Sequence, residues 1–295
     1  MDGRAATLRE CVRRALAEDL GTDSLDLAAD VTTRLAGTAH LPGRARLIAK
    51  APGILAGPDC PRQAFLEVAP GCKVERLRED SDRLSKGDLV LHVAGDMRAL
   101  LVAERTALNF VQRLSGIATA TRALVDAVAG TGARILDTRK TTPGLRLLEK
   151  AAVVAGGGCN HRIGLFDQVL LKENHFAFAR PASYEETVRR CGAGPAAPVA
   201  AEARDVAEAL AAVRGGAAVV LLDNFVPGDA LRAAVAAVRS AATALGRPVE
   251  IEASGGVDLR TVRSFAECGV DRISVGAITH SAPVVDLSML VGGVA

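Results

Sequence analysis

Three blocks, Asp137-Thr138-Arg139-Lys140-Thr141-Thr142-Pro143-Gly144, Gly156-Gly157-Gly158-Cys159-Asn160-His161-Arg162 and Lys172-Glu173-Asn174-His175, concentrate cations, amides, hydroxyls and imidazoles. Clustered cations repel one another until an anion joins them, so this density of donors points to a ligand rich in carboxylate or phosphate. Arg139 and Arg162 offer bidentate forks and Lys172 a point charge, a set suited to bracketing a planar dianion. His161, beside Arg162, adds a hydrogen-bond donor or a further charge. Downstream, Glu202 and Asp223 with Asn224 suit the hydroxyls of a ribose, or Mg2+ through water. Ser254-Gly255-Gly256 and Val275-Gly276-Ala277 have the small residues that let backbone amides approach a phosphate. Each feature also has a plainer reading. A lone Arg or Lys is usually a solvated surface charge, a lone acid an N-cap, and Ser-Gly-Gly a helix-entry turn.

Placement along the chain decides between these readings. The apolar positions Leu8, Val12, Leu16 and Leu20 recur at helical spacing, and Gly21 ends that helix. Strand-like runs follow at Ala45 to Lys50, Lys73 to Arg78 and Leu89 to Ala94, with Pro-Gly and Lys-Gly-Asp turn signals between them. This first part reads as a small antiparallel sheet with a helix or two. A long helix is predicted from Arg98 to about Val128, ending at Gly130 and Gly132. Beyond it, strands at 134–136, 168–171, 199–201, 218–222, 249–252 and 272–275 alternate with Ala-rich helices at 143–154, 184–190, 203–213, 227–245 and 259–268. That alternation means parallel strands with helical crossovers. Nearly every one of these strands ends in polar residues or glycine, and in a barrel all such ends converge on one mouth, whereas an open sheet gathers fewer at its switch point. The barrel is the preferred reading. It makes neighbours of Arg139, Lys172, Glu202, Asp223, Ser254 and Gly276.

Composition narrows the function classes. The 295 residues are 49% hydrophobic and 24% charged, which fits a globular enzyme of two domains. A formal net charge of +2 leaves no global basic field for nonspecific nucleic-acid binding, and 3% aromatic residues with no Trp argue against base-stacking platforms. The six cysteines are scattered, without Cys-x-x-Cys pairs or zinc-finger spacing, as expected of free thiols in a reducing compartment. Residues 1–18 lack a continuous apolar run, and no window has the length of a membrane helix. A cytoplasmic protein without membrane or nucleic-acid partners is expected.

Longer motifs carry a resemblance. Glu104-Arg105-Thr106-Ala107-Leu108-Asn109-Phe110, Asp137 to Gly144, Gly156 to Arg162, Lys172 to His175, Leu222-Asp223-Asn224-Phe225, Glu252 to Gly256 and Ser274 to His280 resemble the quinolinate phosphoribosyltransferases, as does Lys50 to Gly57. The resemblance implies an N-terminal α/β sandwich followed by an incomplete, open α/β barrel. The expected divisions are 1–115 for the sandwich, 116–282 for the barrel, and 283–295 for a tail returning to the sandwich. It also implies a homodimer, or a higher oligomer, with active sites shared between copies. Arg105 of one copy, with Thr138, Arg139, His161, Arg162 and Lys172 of the other, would hold the pyridine dicarboxylate. Lys140, Glu202, Asp223, Ser254, Gly255, Gly256, Val275, Gly276 and Ala277 would hold phosphoribosyl pyrophosphate with Mg2+, the metal meeting Glu202 and Asp223 indirectly. Lys140, Lys172, Glu202 and Asp223 are the expected catalytic residues.

Two departures from the family pattern stand out. Val199-Ala200-Ala201-Glu202 replaces a usual Val-Glu-Val-Glu, so one acid is missing at Ala200. Ala151, Val154 and Ala155 replace a usual Tyr, Arg and Cys. A paralogue acting on another aromatic acid, or a molybdenum-transport-associated relative, is therefore an alternative within the fold. Outside that class stand a Schiff-base aldolase using Lys172 and a non-catalytic anion-binding domain.

Overall fold

The computed structural model describes residues 2–37, 41–179, 181–193 and 198–293. The chain forms two compact units: unit one holds residues 1–122, 141–157 and 279–295, and unit two holds 123–140 and 158–278. The expected tail 283–295 thus falls within unit one, its residues 294–295 lying outside the described residues. The units do not follow a single cut near residue 115, because the helix Arg146–Ala155 belongs to unit one. Glu149 on that helix is fully buried and accepts from Arg113 at 3.1 Å and from the Thr142 hydroxyl at 2.7 Å, a pairing that a buried carboxylate requires.

In unit one the strands are β1 (Pro42–Ala49), β2 (Gly53–Ile54), β3 (Lys73–Arg76), β4 (Arg83–Leu84) and β5 (Leu89–Asp96). Along β1, Gly43, Ala45, Leu47 and Ala49 are buried while Arg44 and Arg46 are exposed, the period-two pattern of a sheet with one covered face. The long helix runs Met97–Ala127, within a residue of its predicted limits. Asp96 accepts from the Arg98 amide near its start. Gly116 is dictated by a close backbone approach, since a Cβ there would stand 1.9 Å from the Pro283 carbonyl oxygen.

Unit two contributes β6 (Arg134–Leu136), β7 (Val169–Leu171), β8 (Val199–Ala203), β9 (Val219–Asp223), β10 (Glu250–Ser254) and β11 (Arg272–Ser274). They form one parallel sheet in the order β6-β11-β10-β9-β8-β7. β6 and β7 do not pair with each other, so the barrel is open. Cys159 bridges to Leu136 in parallel and lays the segment after Gly158 along β6. Crossover helices start later than their periodicity suggests, at Arg146, Val206 and Val262. Side-chain turns consume the intervening residues: Asp258, for example, accepts from the Arg260 and Thr261 amides.

The last described strand, β12 (Leu287–Gly293), was not anticipated. It pairs antiparallel with β1 and completes a four-stranded sheet in unit one, in the order β12-β1-β5-β3. All six cysteines are free.

Candidate active site

Parallel strands bring their C-terminal ends together. β7 and β8 pair Leu171 with Ala201, so the next residues, Lys172 and Glu202, fall side by side. Lys172 Nζ donates to Glu202 Oε2 at 2.5 Å. Glu202 is 8% exposed, so the ammonium offsets a carboxylate removed from most of its water. One strand further, Asp223 ends β9 in register with Ser254 at the end of β10. Burial, and then the Glu202 charge, hold the Asp223 carboxyl above its usual range, against the pull of Lys172 and Lys140. The two acids therefore repel each other across the mouth, and a cation brought by a ligand relieves that repulsion.

This shift makes a stability prediction. A carboxyl raised in the folded state binds more protons folded than unfolded, so stability falls as pH rises through its titration. At neutral pH the ionised Asp223 is a net cost. Asp223→Asn is expected to raise the Tm of the ligand-free protein at pH 7, and the gain to vanish below about pH 4, where the native acid is also uncharged. Scanning calorimetry of both proteins across pH checks this, and a lower Tm for the variant at pH 7 contradicts it.

The Asp223 end is braced by its neighbour. Asn224 adopts φ +58°, donates from its side chain to Asp223 at 2.6 Å, and donates its backbone N–H to the Ser254 carbonyl at 2.9 Å. Gly255, at φ +98°, fits beneath it, because a Cβ there would meet Asn224 Oδ1 at 2.2 Å. Gly256 has nothing within 4 Å of a would-be Cβ, which leaves its backbone approachable. Helix Val262–Ala266 begins well after this loop, so an anion here would be met by loop amides rather than by a helix start. Val275-Gly276-Ala277 leads directly into the short helix Ala277–His280.

On the cationic side, Arg139 and Lys140 follow β6, and Arg162 follows the bridged segment. Burial, and then the Arg139 charge, depress the Arg162 guanidinium, with Asp167 opposing. Arg162 donates to the Gln168 carbonyl at 3.1 Å, and its buried Nε has no hydrogen-bond partner among the described residues. Two guanidinium groups in mutual repulsion fit an anion site. Thr138 accepts the Lys140 amide at 3.1 Å, a local turn that leaves its hydroxyl proton available to a ligand. Arg105 belongs to unit one and is exposed on the helix Met97–Ala127.

Several residues take roles that the sequence did not announce. His161 is 8% exposed and its ring is held by protein groups: Nδ1 accepts the Arg162 amide at 2.7 Å, and Nε2 stands 3.3 Å from Glu252 Oε1. Through Nδ1 the ring holds the backbone of its neighbour Arg162. Glu252 escaped notice as a functional residue, although its place two residues before Ser254 puts it on the same face of β10. Tyr184 donates to the Glu202 backbone carbonyl at 2.7 Å and stacks on Phe176 with centroids 3.8 Å apart, buttressing the acid from behind. Gly156 and Gly157 are packing residues of unit one rather than part of an anion loop. Added Cβ atoms would stand 2.5 Å from the Ala118 carbonyl oxygen and 1.9 Å from the Arg122 guanidinium.

The departures also find their places. Ala200 is fully buried two residues before Glu202, beside Leu170 and Val219 in the sheet, in a layer below the strand ends. Ala151 lines a cavity of about 30 Å³ with Leu8, Cys60, Leu114 and Leu148 in unit one. Neither lies among the strand-end side chains of unit two.

Comparisons with known proteins agree along the chain. Residues 30–115 match the profile of the quinolinate phosphoribosyl transferase N-terminal domain, and residues 117–290 that of its C-terminal domain. A nicotinate-nucleotide pyrophosphorylase (carboxylating) of Mycobacterium leprae is 40% identical over 284 residues, covering 95% of this chain and 96% of the relative. A quinolinate phosphoribosyltransferase (decarboxylating) of Nicotiana tabacum is 38% identical over 292 residues, covering 96% and 81%. The solved nicotinate-nucleotide pyrophosphorylase of Francisella tularensis superposes with a TM-score of 0.87 at 35% identity, covering 97% of this chain and 96% of that one.

Proposed function

The chain belongs to the quinolinate phosphoribosyltransferase family, and we propose that the strand ends of unit two are where it carries out that family's reaction. It is a pentosyltransferase of NAD biosynthesis that moves phosphoribosyl from phosphoribosyl pyrophosphate to quinolinate with decarboxylation. The products are nicotinate mononucleotide, pyrophosphate and CO2. The observation that carries the site assignment is the Lys172–Glu202 bond, which joins a cationic cradle to an acid pair at adjacent strand ends.

Arg139, Arg162 and Lys172, with Thr138 beside them, receive the two carboxylates of quinolinate and aim its ring nitrogen at ribose C1. The N–C1 bond forms as the bond from C1 to pyrophosphate breaks, and positive charge develops on the ribose. Glu202 and Asp223 stand where that charge is stabilised, and Lys140 faces the leaving pyrophosphate. The Ser254-Gly255-Gly256 and Val275-Gly276-Ala277 loops hold the 5′-phosphate through backbone amides. In the new pyridinium, the electron pair of the bond to the 2-carboxylate stays with the ring as CO2 leaves, and C2 then takes a proton from water. No covalent nucleophile is needed. Lys172, bonded to Glu202, is engaged as a cation rather than poised for a Schiff base.

The donor set fits Mg2+. Glu202 and Asp223 supply two carboxylates at the ends of neighbouring strands, hard oxygen ligands that leave most of the ion's shell to water and substrate oxygens. When bound, Mg2+ neutralises the pyrophosphate and makes it a better leaving group. The working form in this proposal is a homodimer in which a second copy of the chain supplies Arg105 to the cradle, and its location is the cytoplasm. No described helix is long and apolar enough to cross a membrane.

Incubating the protein with Mg2+, phosphoribosyl pyrophosphate and quinolinate is expected to yield nicotinate mononucleotide and pyrophosphate in equal amounts. No product above an enzyme-free blank would sink the reading. Glu202→Ala is expected to lower kcat/KM for phosphoribosyl pyrophosphate by about a hundredfold while changing quinolinate binding far less. Calorimetric titration with each substrate separates the two, and the opposite order would reverse the assignment of Glu202.

A further inference from the structure

Beneath the mouth lies a buried acid that the reaction as described does not use. Glu252, on β10, has no exposed surface. Ser274 on β11 donates its hydroxyl to Oε1, His161 Nε2 stands 3.3 Å from that same oxygen, and Arg272 Nε lies 3.0 Å from Oε2. Burial alone would push this carboxyl up, but His161, Arg272 and Ser274 outweigh it and hold it below the usual range. An ionised carboxylate only accepts, so the ring nitrogen facing it must carry a proton. The opposite ring nitrogen, Nδ1, accepts the Arg162 amide at 2.7 Å and therefore cannot carry one. Glu252 and the Arg162 backbone together select a single tautomer of His161.

The consequence reaches the ligand side of the loop. The His161 amide is fastened to Asp137 Oδ1 at 2.8 Å, and Asp137 is fully buried at the end of β6. The Arg162 amide is fastened to the imidazole. Two successive backbone amides are thus anchored to rigid strands, one through β6 and the other through β10 by way of His161. Beyond them the Arg162 side chain is tied, among the described residues, only at the Gln168 carbonyl. Where its guanidinium points depends on where its backbone is held.

We propose that Glu252 is a positioning residue for the acceptor cradle, acting through the fixed tautomer of His161 to set the backbone from which Arg162 reaches quinolinate. The proposal rests on the quinolinate cradle described above, so turnover of quinolinate by the native enzyme is measured first; its absence would remove that cradle, not the hydrogen-bond relay. The relay is read directly from nitrogen-15 spectra of the native protein, with the His161 signals identified by their loss in His161→Gln. A protonated Nε2 and a bare Nδ1 near neutral pH are expected, and an Nδ1-protonated ring overturns the proposal.

Glu252→Gln then tests the functional arm. The KM for quinolinate is expected to rise about tenfold or more, since small misplacements of a clamp are costly, while the KM for phosphoribosyl pyrophosphate stays within about twofold. Adding His161→Gln to Glu252→Gln is expected to cost little more, because residues acting as one unit are not additive. Equal losses for both substrates, or effects of the two changes that multiply, would reduce Glu252 to a general structural role. Should Glu252→Gln not fold, Ser274→Ala, which removes one of the donors to Oε1, takes its place with the same expected split and the same contrary outcome.

Discussion

Lys172→Ala is expected to lower kcat/KM by about two to three orders of magnitude, the effect of removing one preorganised electrostatic group, while leaving the fold intact. The side chain is 50% exposed, so its loss opens no core cavity. Its removal strikes both halves of the site. The dicarboxylate loses a cation, and Glu202, with its side chain only 9% exposed, loses its 2.5 Å partner. An unpaired Glu202 also repels Asp223 more strongly, which disfavours the negatively charged pyrophosphate donor. Both substrate affinities should therefore fall, in contrast to Glu202→Ala. Lys172→Arg is not expected to rescue, because a broad planar fork cannot occupy the position of a compact ammonium between a strand end and a neighbouring carboxylate. Steady-state kinetics with each substrate varied, together with thermal unfolding, measure this. Unchanged quinolinate affinity in Lys172→Ala would take that residue out of the cradle.

The second large effect is a recovery. Arg105→Ala and Lys172→Ala are each expected to be nearly inactive alone. If each site draws Arg105 from a second copy, a mixed dimer contains one intact site and one doubly damaged site. Equal mixing with free exchange makes half of the dimers mixed, so about a quarter of native activity should return. Exchange is confirmed independently by mass spectrometry of differently tagged copies. No recovery after confirmed exchange would mean that each copy uses its own Arg105, and the shared-site part of the proposal would fall.

Much of the architecture was legible because its causes are local. β6 was read at its observed limits, 134–136, and the long helix within a residue, since apolar periodicity bounded by glycine marks both. The polar residues closing successive strands mark a mouth in the sequence itself, and Lys172 beside Glu202 is the direct outcome of that register. What escaped depends on partners distant in sequence. β12 has no signature apart from β1, from which it is separated by all of unit two. Glu252 reads as an ordinary strand residue until Ser274, Arg272 and His161 close around it. The glycines at 156 and 157 looked like part of a donor-rich loop, yet a neighbouring helix explains them. Close approach between backbones leaves the same mark on a sequence as ligand binding does.

The pairing of β12 with β1 also bears on how the protein is made. β1 is complete at residue 49, but the strand that covers its outer edge begins only at residue 287. At ribosomal rates of roughly 5–20 residues per second, that edge waits on the order of tens of seconds for its partner while unit two is synthesised and folds. During that interval a nascent chain displays an unpaired strand edge, the kind of surface to which another chain can add. The alternating Arg44 and Arg46 on β1 place charge along that edge, a feature that discourages such addition. Biogenesis, rather than catalysis, is then the stage at which this sheet is most vulnerable, and chaperone capture of ribosome-bound chains should peak before Leu287 emerges.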